Sequence, residues 1–467
     1  MKLRIANLGV IKEATFDLSK KLTVFCGPNG TGKTYAAYVI NSLLARELFY
    51  VPSITLDISS LLKIGEIKVE IPAEELYKII KNELELFPET IPGIFPVAID
   101  KRDELFGSLK VATNQTYEAF ANNYVTSDIK VIHSLGSYKF NIHKPLNSQV
   151  VSIVYDRTAV EPLTLDSTLD FLLTLGISRA LALYPNSSST VLPVERNSIF
   201  TFSKELNLQK LAFFEQSKFV ELKPRGLKEL EKFIISRTTR YPHAIREALQ
   251  VADDLSNISR TASPFYDFGV EVEQHLLQGK VGIDAGGEVN FAPNKAAGKS
   301  FSFQLSSSAV KTLSSLIVYL KYQAKPNDLL IIDEPELNLH PDNQILLARV
   351  FARMINKGMR LLISTHSDYI IRELNNLIML SADEPALKKV AEGFGYHPDE
   401  KINREDIGVY LFHFKNPEDE HVTVESVEVA ENGFEVKTIE DTINKLNAAS
   451  EEIYYTMKYG YQHHGDN

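Results

Sequence analysis

Tryptophan is absent from this 467-residue chain, and cysteine occurs once. A single thiol, Cys26, excludes an internal disulfide framework and any metal site built on several cysteines, and it fits a reducing compartment. Cys26 closes the apolar run LTVFC, where a small buried hydrophobe at a strand end is expected. No apolar run is long enough to cross a membrane, and the opening MKLRIANLGVIKEATF is too polar and strand-like for a signal peptide. A soluble, cytoplasmic protein is therefore expected. Basic residues are in deficit too. Lys and Arg number 50 against 60 Asp and Glu, a net charge of −10. That balance argues against a general nucleic-acid coat, because neutralising phosphates takes concentrated cations. A local basic groove remains open, with Arg237, Arg240 and Arg246 as candidates, although scattered cations are more often a solvated face. A sustained heptad rod is missing from residues 203–253, which read as mainly helical (LKELEKFIISRTTR, PHAIREALQVADDL) and predict a compact lobe or short arm.

With 44% hydrophobic residues, the chain can build a large core and two to four domains. KLRIANLGVI, EATFDL and KLTVFC alternate as strands, a glycine-rich turn follows, and KTYAAYVINSLLARELF has helical spacing. Mixed signals follow. ITLDISSLLKIGEIKVEI reads as turn and strand, PAEELYKIIKNELELF and TYEAFANNYV as helices, and SYKFNIHKPLNSQVVSIVYD as strands. TLDFLLTLGISRALALY is expected to be helix, and TVLPVERNSIF to resume with a buried strand. Hairpin strands in GKVGIDAGGEVNFAPN precede a serine-led helix, the strand LLIID, a helix after Pro341, the strand MRLLISTHS and a helix near Asp368. Such alternation predicts an α/β fold with a mostly parallel core sheet. The tail adds strands IGVYLFHF and VTVESVEV and a helix TIEDTINKLNAAS.

GPNGTGKT fits the phosphate-loop pattern G-x-x-x-x-G-K-[ST] completely. Gly27, Gly30 and Gly32 let the backbone N–H groups wrap a phosphate, with Pro28, Asn29 and Thr31 between them. Lys33 reaches the β- and γ-phosphates, Thr34 offers a hydroxyl to Mg²⁺, and Tyr35 continues the helix whose N-terminus faces the anion. Asp333 ends an apolar strand and is placed to hold Mg²⁺. Glu334 is the natural base or orienting group for an attacking water. Two adjacent acids there would be costly to bury without a cation. His366 ends another apolar strand, where a neutral imidazole can hydrogen-bond the γ-phosphate.

Together these residues resemble the ABC-type ATPases, in the soluble branch of Rad50, SMC and RecF proteins. LIIDEPELNLHP and LLISTHSDYIIRELNNLI look especially like bacterial AAA-family ATPases of the OLD and Septu type, many of them in phage-defence loci. The resemblance implies a P-loop head of mixed sheet and flanking helices, with a large insertion between phosphate loop and signature. It also implies ATP and Mg²⁺ as ligands and a homodimer closed around the nucleotide. By that resemblance, LSSSAVKTL is the signature run acting across the dimer. Ser306 takes the signature serine's place, while Ser307 and Ser308 stand where glycines are usual. Read without the family, the run is a serine-rich helix cap. Asn338 is the expected contact of the loop passing between subunits, and His340 reads as structural. For the loop that couples hydrolysis to partner motion, Gln149, Glu195 and Arg196 are the candidates.

These readings divide the chain into an N-terminal head lobe (1–50), an insertion (51–284), a C-terminal head lobe (285–380) and a small α/β tail (381–467). The expected function is an ATP-driven dimeric switch in DNA maintenance or anti-phage defence, acting on a separate effector. A self-contained nuclease of the OLD type is the alternative, against which the tail offers only PEDEH, which reads as a hairpin turn. A transporter motor is a further one, against which the long separation of the two motifs speaks. His463 and His464 read as a disordered end.

Overall fold

A computed structural model describes residues 1–45, 56–97, 99–135, 138–156, 167–182, 184, 188–202, 241–295, 298–416 and 418–459. The helical reading of LKELEKFIISRTTR, with Arg237 and Arg240, lies outside the described residues, as do His463 and His464.

The chain opens with β1 (Lys2–Leu8), β2 (Ile11–Asp17) and β3 (Leu22–Cys26). Next come β4 (Glu66–Glu70), β5 (Lys110–Thr113), β6 (Ile129–Leu135), β7 (Tyr138–Lys144), β8 (Val150–Asp156) and β9 (Ser189–Leu192). The second half carries β10 (Gly279–Ile283), β11 (Val289–Pro293), β12 (Phe301–Ser302), β13 (Leu329–Asp333), β14 (Arg360–Thr365), β15 (Ile407–His413) and β16 (Val422–Val427). Among the described residues they form a nine-stranded sheet, β5-β1-β2-β16-β15-β3-β14-β13-β9, a three-stranded sheet, β10-β11-β12, and a four-stranded sheet, β4-β8-β7-β6.

Central strands β15, β3, β14, β13 and β9 run parallel. Every residue of β3, β13 and β14 is buried, as expected for strands covered on both faces. Helices Lys33–Ala45, Ser308–Tyr322, Pro341–Asn356 and Asp368–Met379 supply the covering layers. One core cluster includes Phe16, Phe25, Tyr410 and Phe412, whose ring centroids lie 4.9–6.1 Å apart and tie β2, β3 and β15 together. Tail strands β15 and β16 thus sit in the middle of the sheet, with β15 in direct register on β3.

Several expected elements form where the pattern puts them: helices at Ala73–Leu86, Tyr117–Thr126 and Ser167–Ala182, and the tail helix Lys437–Tyr459. ISSLLKI differs. It forms a helix, Ile58–Ile64, because Asp57 accepts the Ser60 N–H at its start and Gly65 ends it in the left-handed conformation. The stretch 51–284 is also not set apart from the head sheet, since β5 pairs with β1 and β9 with β13. Short strands of this kind carry too little pattern to be assigned to a sheet before their partners are known. The four-stranded sheet is distinct in its pairing, but Phe140, Ile142, Val151 and Ile153 share one core cluster with Leu3, Ile5 and Phe16 of the head sheet.

Candidate functional site

Strand order brings three C-terminal ends side by side. Cys26 pairs in register with Thr365, and Ser364 with Asp333, so the phosphate loop, the histidine and the acid pair leave adjacent strands at one edge. Open parallel sheets place ligands at such carboxyl ends.

The phosphate loop follows β3 into the helix Lys33–Ala45. Gly27 has φ +131°, and a Cβ there would fall on the carbonyl oxygen of Phe412 in β15. The tail strand thus forms the floor under the loop's first residue. Thr31 Oγ1 donates to the Pro28 carbonyl at 2.8 Å. Lys33 Nζ donates to the Gly27 and Pro28 carbonyls at 2.9 and 2.8 Å, within the loop's own curl. Burial lowers its pKa, opposed by Asp333 and Glu334. Pro28, Asn29 and Gly30 are exposed at the tip. Tyr35 lies in the first turn of the helix Lys33–Ala45, and its ring packs on Phe95 and Phe106, with centroids 5.0 and 6.1 Å away, so only its backbone faces the loop. Burial pushes the Cys26 thiol up to about 12, which leaves it an inert packing residue.

Thr34 Oγ1 donates to Asp333 Oδ2 at 2.8 Å, joining two motifs separated by residues 35–332. Ser364 Oγ bonds the other Asp333 oxygen. A threonine hydroxyl against a buried carboxylate is the donor set a hard divalent cation takes, so these residues fit Mg²⁺. Glu334 follows with φ +46°, a left-handed conformation that costs energy in a non-glycine residue. Its N–H donates to the Ser364 carbonyl at 3.0 Å. Burial, then the neighbouring Asp333 charge, raises the Glu334 carboxyl above its ordinary value. His366 Nε2 lies 3.9 Å from Glu334 Oε1, and burial together with Lys33 lowers its pKa, favouring neutral imidazole.

Arg196, in the segment LPVERN after β9, is the residue whose weight the sequence understated. Its buried guanidinium donates to the carbonyls of Asp333 at 2.7 Å, Glu334 at 2.6 Å and Pro193 at 3.0 Å, clamping the backbone that carries both acids. Burial lowers its pKa to about 10, which still leaves it charged at neutral pH. Glu195 beside it is exposed. Gln149 lies elsewhere: its Oε1 accepts the Ala73 N–H and caps the helix Ala73–Leu86 beside the four-stranded sheet. Glu336 is a further participant that no motif suggested. Its Oε1 accepts the His366 N–H at 2.6 Å, and burial raises its pKa.

The serine run makes local contacts. Ser306 Oγ donates to the Ser302 carbonyl at 3.1 Å, and Ser307 is the N-cap, accepting the Val310 N–H at 3.3 Å. The helix Ser308–Tyr322 starts there, with Ser307 and Ser308 exposed. Asn338 is exposed at φ +59° in the turn after the acids. His340 caps the helix Pro341–Asn356, a structural role. Arg246, a candidate for phosphate contact, instead donates to the Gly93 carbonyl.

A phosphate loop, an acid pair two strands away and a histidine on the strand between them define a P-loop nucleotide-hydrolase head of the ABC type. The chain belongs to the AAA ATPase domain family, whose profile it matches over residues 1–168 and 187–371, and it is an ATPase by that membership. Among solved structures it is similar to an Smc head bound to the C-winged helix domain of ScpA (13% identity, 92% of this chain and 98% of that one, TM-score 0.35). It is also similar to the SMC head domain from Thermotoga maritima (11%, 92% and 98%, TM-score 0.32). A third is the Smc head domain with an extended coiled coil bound to the C-terminal domain of ScpA derived from Pyrococcus furiosus (14%, 96% and 98%, TM-score 0.32). No curated protein matches it. Among the described residues, no helix is long and apolar enough to cross a membrane.

Proposed function

We propose that the protein is an ATP-hydrolysing dimeric switch, in which two heads close around nucleotide and hydrolysis reopens them. The observation that carries this reading is the Thr34–Asp333 hydrogen bond, with Glu334 held one residue beyond it. Lys33 and the N–H groups of Gly27 to Tyr35 would bind the triphosphate. Thr34 and Asp333 would hold Mg²⁺, which when bound neutralises charge on the β- and γ-phosphate oxygens. Glu334 orients and deprotonates the attacking water. A raised carboxyl pKa suits a base, and neutral His366, its Nε2 3.9 Å from Glu334 Oε1, would hydrogen-bond the γ-phosphate beside it. The helix N-terminus at Ser306–Ser308, where Ser307 and Ser308 are exposed, would close the site from the opposing subunit, with Asn338 contacting that subunit.

Closure is a population shift: ATP favours the closed pair by binding it more tightly than the open one. Action on a separate effector in a DNA-maintenance or anti-phage system rests on the resemblance of LIIDEPELNLHP and LLISTHSDYIIRELNNLI to OLD and Septu ATPases, as does a cytoplasmic location.

Glu334→Gln should bind ATP with native affinity while losing hydrolysis by about a hundredfold or more. With ATP present, cysteines placed at Asn29 and Ser306 should then cross-link between chains, and adding Lys33→Ala should abolish both ATP binding and the cross-link. Native hydrolysis by Glu334→Gln, or an ATP-loaded variant whose heads never cross-link, would sink the proposal.

A further inference from the structure

Helix Lys437–Tyr459 buries none of its side chains. Ile439, at its base, packs on the head core and Ile443 is half-buried. Beyond them Leu446, Ile453, Tyr454 and Met457 are 63%, 61%, 55% and 83% exposed, on an element that a soluble fold ordinarily stabilises by packing an apolar face. The aliphatic residues have an order. Ile439, Ile443, Leu446, Ser450, Ile453 and Met457 recur at alternating spacings of four and three, the a and d seam of a helix pair, while the exposed rings of Tyr455 and Tyr459 lie off it. Asp441, Lys445, Glu451, Glu452 and Lys458 all fall away from that seam. The positions flanking it, Thr442, Asn447, Ala449, Tyr454 and Thr456, are neutral, with Glu440 at the base the exception.

We infer that this seam pairs in parallel with the same helix of a second copy, and that it holds two chains together without nucleotide. Three features favour a second copy over another partner. Parallel pairing of identical helices sets a against a and d against d, so Ser450, the one polar residue of the seam, meets itself and the two hydroxyls satisfy each other. Antiparallel pairing would set each Ser450 against Leu446. Neutral flanks avoid the like-charge rows that keep identical helices apart, and offer none of the charge code that would select a different helix. Area suffices as well. Five seam side chains with Tyr454, at roughly 60–120 Å² each, give about 500 Å² per chain and about 1,000 Å² in all, the size at which a specific interface begins. Because the seam starts where the helix leaves the head, both heads would lie at the same end of the pair, free to face each other. The contact is separate from the ATP-closed interface and does not depend on it.

Full-length protein carrying Lys33→Ala, which cannot close on ATP, tests this by sedimentation without nucleotide at micromolar concentrations. A dimer is expected. Adding Leu446→Glu and Ile453→Glu should weaken it by about a hundredfold or more. Both sites are exposed, and an unchanged melting curve, with unchanged ATP binding when Lys33 is restored, verifies the fold. Ser450→Cys should form an interchain disulfide on mild oxidation, Cys26 being buried, whereas Ala448→Cys on the outer face should not. A nucleotide-free monomer, or a dimer indifferent to the two glutamates, overturns the inference. Cross-linking that requires Leu446→Cys opposite Ser450→Cys overturns the parallel register.

Discussion

Removing the Arg196 guanidinium should damage hydrolysis far more than nucleotide binding. Its bonds to the Asp333 and Glu334 carbonyls, 2.7 and 2.6 Å, come from a charged donor. Such bonds contribute about 1.5–3 kcal/mol each, or about 3–6 kcal/mol together. Taking a buried ion out of the fold returns several kcal/mol of desolvation, so the net loss of stability in Arg196→Ala should be only about 1–3 kcal/mol. Catalysis has no such offset. Glu334 sits at φ +46°, a conformation that persists only while its surroundings hold it. With the clamp gone, the carboxylate should drift by about 1 Å, which costs about a hundredfold in rate, or about 2.7 kcal/mol. The Arg196 hydrogen bonds go to Pro193, Asp333 and Glu334 rather than to the phosphate loop, so ATP affinity should stay within about threefold. Arg196→Lys, whose single ammonium cannot present the forked geometry, should fall between the two. Single-turnover phosphate release, a fluorescent-nucleotide titration and a thermal melt on each variant make the measurement. A folded Arg196→Ala protein that hydrolyses ATP at the native rate would refute the reasoning, and so would one that simply fails to bind ATP.

Gly27→Ala forces a Cβ onto the Phe412 carbonyl at a φ of +131°, and should cost about 3 kcal/mol or more of stability together with ATP binding, read by melting and titration. The Glu334 pKa is raised, so the proposed base should stay protonated, and idle, up to a higher pH than an ordinary glutamate. Single-turnover hydrolysis should therefore fall off on the acid side with a midpoint above 4.5, while Asp333, Lys33, Arg196 and Glu195 set its position. His366, its pKa lowered, should add no loss as pH rises above neutral. Lys321 Nζ is buried against Glu273 at 3.2 Å and the Val281 carbonyl at 3.1 Å, joining the helix Ser308–Tyr322 to the helix Tyr266–Leu277. Glu273→Gln should destabilise by about 3–5 kcal/mol, and the apolar pair Glu273→Leu with Lys321→Met should recover only part of it in denaturant titrations, because the Val281 N–H and carbonyl lose their partners.

Local chemistry was legible in the residues wherever one segment carries it whole. GPNGTGKT needs a strand before it and a helix after it, and both form at Leu22–Cys26 and Lys33–Ala45. LLIID and RLLIST are apolar enough to be buried from either side, and so they are. Arg196 and Glu336 were not legible in the same way. An arginine between Glu195 and Asn197 says nothing about which carbonyls it will meet, and Glu336 sits in a run of acids whose members differ only in where the turn aims them. ISSLLKI was misread because its cap and stop, Asp57 and Gly65, outweigh a weak strand pattern.

By itself, then, the sequence determined a glycine-rich turn of the phosphate-loop pattern, two carboxylates at the end of a buried strand and a histidine at the end of another, because each depends on residue type and short-range periodicity. The tertiary structure alone decided that β14 would lie between β3 and β13, that the tail would return as β15 to support Gly27, and that Arg196 would clamp the acids from the segment after β9. Strand order depends on which edges find one another across long stretches of chain. That choice is made by packing of whole layers, and no local run of residues encodes it.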